Sequence, residues 1–165
     1  MRVGSAIAGG CAVLFTLMTL PSLAYGQDST TYVFFAPGDQ REPVKKQIYE
    51  AGFGLERKLD ERVAVQADVA ALPYYDTDDT RTVAALASVG GAYHFTPGRT
   101  LDPFVLAGYS LQFRDYTANM FHYGVGLRYW FREERALLVE VRDHVGREGA
   151  PVERYWSVRI GLVFR

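Results

Sequence analysis

Between Phe121 and Arg132 the chain alternates without a slip. Phe121, Tyr123, Val125, Leu127, Tyr129 and Phe131 fall on one parity; His122, Gly124, Gly126, Arg128, Trp130 and Arg132 fall on the other. Successive side chains of a strand point to opposite faces, so this segment predicts a strand with one greasy face and one polar or small one. Apolar residues make up 48% of the chain. At that share, six in register arise by chance on the order of one time in a hundred.

The pattern recurs. Trp156, Val158, Ile160, Leu162 and Phe164 alternate with Tyr155, Ser157, Arg159 and Gly161. Leu137, Val139 and Val141 are set against Glu140, Arg142 and His144, and Tyr49, Ala51, Phe53 and Leu55 against Glu50, Gly52, Gly54, Glu56 and Lys58. Eight such runs are read, at 30–36, 48–58, 63–72, 83–95, 102–113, 119–131, 135–145 and 153–164. Two are less clean. The run 63–72 has the Ala content of a short helix, although Val63, Val65 and Val69 favour a strand, and 83–95 is rich in Ala and Gly. The facing of both stays open.

Tight charged or Pro/Gly turns fall at 59–62, 96–100 and 132–134, and longer links at 37–47, 73–82, 114–118 and 146–152. Short and long connections that alternate predict an up-and-down barrel, with turns on one rim and loops on the other. Closure also removes two sticky sheet edges. The expected fold class is all-β: an eight-stranded antiparallel up-and-down transmembrane β-barrel.

Alternation alone does not say which face is outside. On the polar face Glu50, Glu56, Asp68 and Glu140 balance Lys58, Arg128, Arg142 and Arg159. Eight strands enclose an interior that side chains can just fill. Glycines 52, 54, 124, 126 and 161 leave volume there for long charged side chains to cross and pair. The apolar face carries Tyr49, Tyr123, Tyr129, Phe131, Trp156 and Phe164 near strand ends, as an interfacial girdle would. Tilted strands of about 9–11 residues also match a bilayer core. The expected lipid-facing set is therefore Phe53, Leu55, Phe121, Tyr123, Val125, Leu127, Tyr129, Phe131, Leu137, Val139, Val141, Trp156, Val158, Ile160, Leu162 and Phe164. Turned inside out, the same alternation would give a secreted soluble lipocalin-like barrel around an apolar ligand.

Residues 1–26 have the form of a secretory signal peptide, with Arg2, an apolar Ala6 to Leu20 and a small-x-small site at Ala24-Tyr25-Gly26. That leaves 27–165 as the barrel domain. The sole cysteine, Cys11, lies in the signal, so neither a disulfide nor a Cys-ligated metal is expected in the mature part. A net charge of -1 gives no reason to expect a nucleic-acid partner. No cofactor is expected, and the barrel is expected to be monomeric.

The stretch HYGVGLRYWFREERALLVEVRDH (122–144), followed by RYWSVRIGLVF (154–164), resembles the C-terminal half of OmpA/OmpX-like outer-membrane β-barrel domain proteins. The shared features are a Gly-rich aromatic strand, a short charged turn and a strand closing on a triplet, here Arg142-Asp143-His144. A final alternating strand then ends in an aromatic residue. The resemblance implies residence in the outer membrane of a Gram-negative-type bacterium, with both termini in the periplasm. It implies assembly by the barrel-assembly machinery through the C-terminal strand, and a wall surrounded by outer-membrane lipid and lipopolysaccharide. One departure is that Phe164 is penultimate and Arg165 follows it. No further domain is read after the last strand, so the peptidoglycan-binding role of two-domain relatives is not expected.

Buried charges are costly unless paired, so mutual neutralisation and a plugged lumen are expected; a narrow pore would need an excess of one sign. His94, His122 and His144 fall on three strands without ligand spacing, which predicts lumen or rim residues in hydrogen bonds and not a metal site. A lipid hydrolase would need Ser88, Ser110 or Ser157 beside a histidine and an acid. The His-x-Ser-Asn stretch of lipid A deacylases reads here His144-Val145-Gly146-Arg147, without a serine. No enzyme is expected. Asp76, Asp78 and Asp79 have calcium-like spacing but read as solvated loop acids. The expected role is structural: envelope integrity or contact through the loops.

Overall fold

The computed structural model describes residues 29–42, 46–75, 81–114, 117–146 and 154–165. They form eight strands: β1 (Ser29–Glu42), β2 (Lys46–Lys58), β3 (Val63–Tyr75), β4 (Arg81–His94), β5 (Leu101–Phe113), β6 (Thr117–Arg132), β7 (Arg135–Gly146) and β8 (Arg154–Phe164). Each pairs antiparallel with its chain neighbour, and β1 closes onto β8 with Thr31 opposite Phe164. The expected signal peptide and the triplet Asp76, Asp78 and Asp79 lie outside the described residues.

Closure fixes the stagger of the wall. A row of paired residues traced from Tyr129 passes through Leu137, Leu162, Val33, Phe53, Val69, Ala87 and Leu111. It returns to β6 at Asn119, ten residues from its start. The strands are therefore tilted, and rows climb from β6 through β7 and β8 toward the rim opposite the short turns. Those turns are tight. Leu59 N donates to Val63 O at 2.8 Å, and Gly98 takes a φ of +80° that its missing Cβ permits.

At the other rim the strands outrun the sequence expectation. Of the links expected there, 37–42, 46–47, 73–75 and 81–82 are ladder: Gly38 pairs with Ile48, and Tyr74 with Thr82. Gly38, Asp39 and Gln40 have no apolar parity, so the period-two signal fades there while the backbone pairing continues.

Burial alternates along every strand. Phe121 and Val125 are 68% and 58% exposed on the outer wall, whereas Arg142 and Arg159 are fully enclosed. The open facings resolve as Gln66, Asp68, Ala70 and Leu72 of β3 and Leu86, Ser88, Ala92 and His94 of β4 pointing inward.

Candidate functional site

The interior is the chemically dense part of the molecule, and it is organised in layers along the axis. At the turn rim Arg128 of β6 donates to both oxygens of Glu56 of β2, at 2.7 and 2.5 Å. His94 Nδ1 lies 2.8 Å from Asp102 Oδ2, and its Nε2 faces Glu56 Oε1 at 3.4 Å. The result is a continuous chain Asp102–His94–Glu56–Arg128 spanning four strands.

The middle layer is built around Asp68. Its Oδ2 accepts from Arg142 Nη1 at 3.0 Å, Arg159 Nη1 at 3.2 Å and Tyr32 OH at 3.2 Å. Arg142 Nε also donates to Glu140 Oε1 at 2.6 Å, and Arg159 Nη2 to Glu50 Oε2 at 3.2 Å. One carboxylate that accepts from two guanidinium groups, each tied to a second acid, is the arrangement in which buried charge is compensated.

Toward the opposite rim the polar groups become neutral. Ser110 donates to Ser88 at 3.0 Å and lies 2.8 Å from His122 Nδ1. His144 faces His122 with ring centroids 5.5 Å apart and stacks on Tyr155 at 4.3 Å. Contrary to expectation, His144 is held by these ring contacts: neither of its nitrogens has a hydrogen-bond partner among the described residues. Ile48, Leu72, Leu86 and Met120 fill the remaining space.

Of the expected lumen residues, Glu50, Glu56, Asp68, Arg128, Glu140, Arg142 and Arg159 are buried and joined in these layers. Lys58 is on the inner parity, but it is the last residue of β2, only half-buried at the rim. Asp102 and His94 take the place the sequence reading gave to Lys58. The glycines also serve another purpose than expected. A Cβ at Gly54 would collide with the Tyr32 ring and at Gly126 with the Phe104 ring; at Gly52 it would meet Val69 O and then the Phe34 ring, and at Gly124 and Gly161 the carbonyls of Val141 and Val33. Flat rings occupy the volume at Gly52, Gly54 and Gly126, and guanidinium groups lie over two of them: Arg159 Cζ sits 4.2 Å from the Phe34 centroid and Arg128 Cζ 5.2 Å from that of Phe104.

The outer wall carries the complementary set. Phe53, Leu55, Phe121, Tyr123, Val125, Leu127, Tyr129, Phe131, Leu137, Val139, Val141, Ile160, Leu162 and Phe164 are exposed there. Trp156 and Val158 are half-buried on the same face.

The barrel matches solved structures over most of its length. Neisserial surface protein A superposes with a TM-score of 0.70 at 12% identity, covering 82% of this chain and 96% of that one. The N-terminal β-barrel domain of Pseudomonas aeruginosa OprF gives 0.58 at 24% identity, covering 84% and 98%. The fold is that of the small OmpA/OmpX-like outer-membrane barrels. Ail, the attachment invasion locus protein of Yersinia pestis, solved with the heparin analogue sucrose octasulfate, gives 0.59 at 11% identity, covering 83% and 97%. No protein-family model matches the chain, and no curated protein does. At these identities the likeness is one of fold.

The Ser110–His122 contact joins two residue types that no local motif connects. Ser110 Oγ is shared between Ser88 Oγ at 3.0 Å and His122 Nδ1 at 2.8 Å, and the tautomer of His122 sets which of that second pair donates. His122 Nε2 has no hydrogen-bond partner among the described residues. The contact ties β4, β5 and β6 together across the lumen.

Proposed function

We propose that this chain is an integral outer-membrane protein whose lumen is closed by paired charges and whose role is structural or adhesive, without catalysis. The carrying observation is the inversion of the usual burial pattern. Leucines, valines and aromatics are exposed around the whole circumference, while Arg128, Arg142, Arg159 and His94 are enclosed with the five carboxylates they contact. Water would penalise that outer surface, whereas hydrocarbon tails solvate it. Tyr129, Phe131 and Phe164 ring the turn side, and Tyr49, Phe121 and Trp156 the other side, as anchors at two interfaces. The short turns then face the periplasm and the longer links the exterior. A soluble lipocalin-like barrel would need an apolar interior, and this interior is crossed by ion pairs. The surrounding lipid, including lipopolysaccharide, and the assembly machinery that reads the last strand are the partners this reading supplies.

The test has two arms. The folded protein extracts only with detergent, runs as a compact band on unheated gels and shifts on boiling. In planar bilayers it gives no discrete conductance. Recovery from the aqueous periplasmic fraction overturns membrane residence; steady single-channel steps overturn the closed lumen.

A further inference from the structure

The outer wall is not uniformly convex. Where β4, β5 and β6 meet, Gly91 is paired with Ala107, and Ala107 with Tyr123. Gly91 and Ala107 floor a shallow, open groove flanked by Val89, Tyr109, Phe121 and Tyr123. Its rims are held in place. Tyr109 meets Phe121 edge-to-face at 5.4 Å and donates to Asn119 Oδ1 at 2.9 Å. Tyr123 OH donates to Asp143 Oδ2 at 2.9 Å.

That last bond links the groove to a charge. Arg154 donates to the same Asp143 oxygen through Nε at 3.1 Å and Nη2 at 2.5 Å, and its Nη2 lies 3.5 Å from Tyr123 OH. The arginine side chain is 42% exposed and the aspartate 18%, so an approaching molecule meets the cation first. Rows climb from β6 to β8, which sets Arg154 nearer the far rim than the groove. The wall thus carries an apolar slot at bilayer depth with an oriented guanidinium above it. Guanidinium groups match phosphate geometry, and an acyl chain matches the slot.

We propose that the groove and Arg154 together hold one phosphate-bearing membrane lipid, with an acyl chain over Gly91 and Ala107 and the phosphate on Arg154. Asp143 and Tyr123 position the guanidinium. The proposal rests on the membrane reading above and adds a defined lipid site to it. A second copy of this chain is the less suitable occupant, because a protein surface on the groove would strip water from the Asp143–Arg154 pair without supplying a phosphate.

The full chain, folded in detergent micelles, is titrated with phosphatidylglycerol, with diacylglycerol of the same chains and with inorganic phosphate, and adducts are counted by native mass spectrometry. A Cβ at Gly91 meets only Ala64 O, at 3.8 Å, so Gly91→Leu fills the slot without strain in the wall. One saturable phosphatidylglycerol per barrel is expected. Loss of a charge-assisted hydrogen bond weakens it about ten-fold in Arg154→Gln. Loss of slot volume weakens it about as much in Gly91→Leu. Diacylglycerol binds more weakly and is indifferent to Arg154→Gln. Binding that never saturates, or that is equal in all three proteins, overturns the site. So does inorganic phosphate that binds as well as the lipid, or a dimer that Gly91→Leu dissolves. Failure of the membrane reading shows separately, as loss of the heat-shifted band in the unmodified protein.

Discussion

Phe104 lies flat where Gly126 has no side chain, and Arg128 lies over the ring in turn. This three-tier stack makes a sharp demand on a single residue. Gly126→Ala drives a methyl group into the ring and should cost about 1–3 kcal/mol, read from urea unfolding in lipid vesicles. Gly91→Ala, whose added methyl meets only Ala64 O at 3.8 Å, should stay within about 0.5 kcal/mol. The charged residues divide in the same way. Arg142→Ala leaves Glu140 without its short contact and Asp68 without one of its two arginines, for a loss of about 3–5 kcal/mol. Lys58→Ala, at the half-buried strand end, should change stability by no more than about 0.5 kcal/mol. Equal effects of Arg142→Ala and Lys58→Ala would contradict the layered interior.

A strand of this wall is two surfaces back to back, and β6 shows both most clearly. Single cysteines placed along 121–131 in a Cys11→Ser background should react with a membrane-soluble maleimide at odd positions and resist it at even ones. Val125→Arg should cost about 2–4 kcal/mol, because the charge meets hydrocarbon and cannot reach the lumen partners. The same contrast explains what was legible beforehand. In β2, β6, β7 and β8 the two parities differ in polarity, so facing and ion-pairing residues could be read together. In β5 the inner Phe104 and Leu106 are as apolar as the outer Val105 and Tyr109, and that is why Asp102 went unseen. Lys58 differs for a related reason: parity continues to the last residue of a strand, but enclosure does not. The Ser110–His122 contact depends on cross-strand register, which short-range spacing does not encode.

Around the whole circumference, the ion-paired charges are buried behind eight hydrogen-bonded strands. Screening acts on exposed pairs within a Debye length of about 8 Å in physiological salt and far less on enclosed ones. The unfolding midpoint in vesicles should therefore stay constant as sodium chloride rises, and a marked fall would place the stabilising pairs at the surface. Closure has one more consequence. Eight strands staggered by ten residues have a fixed girth, like a hoop that cannot be let out. A bulkier side chain inside finds no room by dilation, so each enlargement there calls for an opposite trimming across the bore. Outside, away from the aromatic girdles and the groove, one fat-soluble side chain can replace another. A barrel of this gauge can drift in spelling on the rind while its filling changes only by exchange, and the fold is shared with solved barrels at 11 to 24% identity.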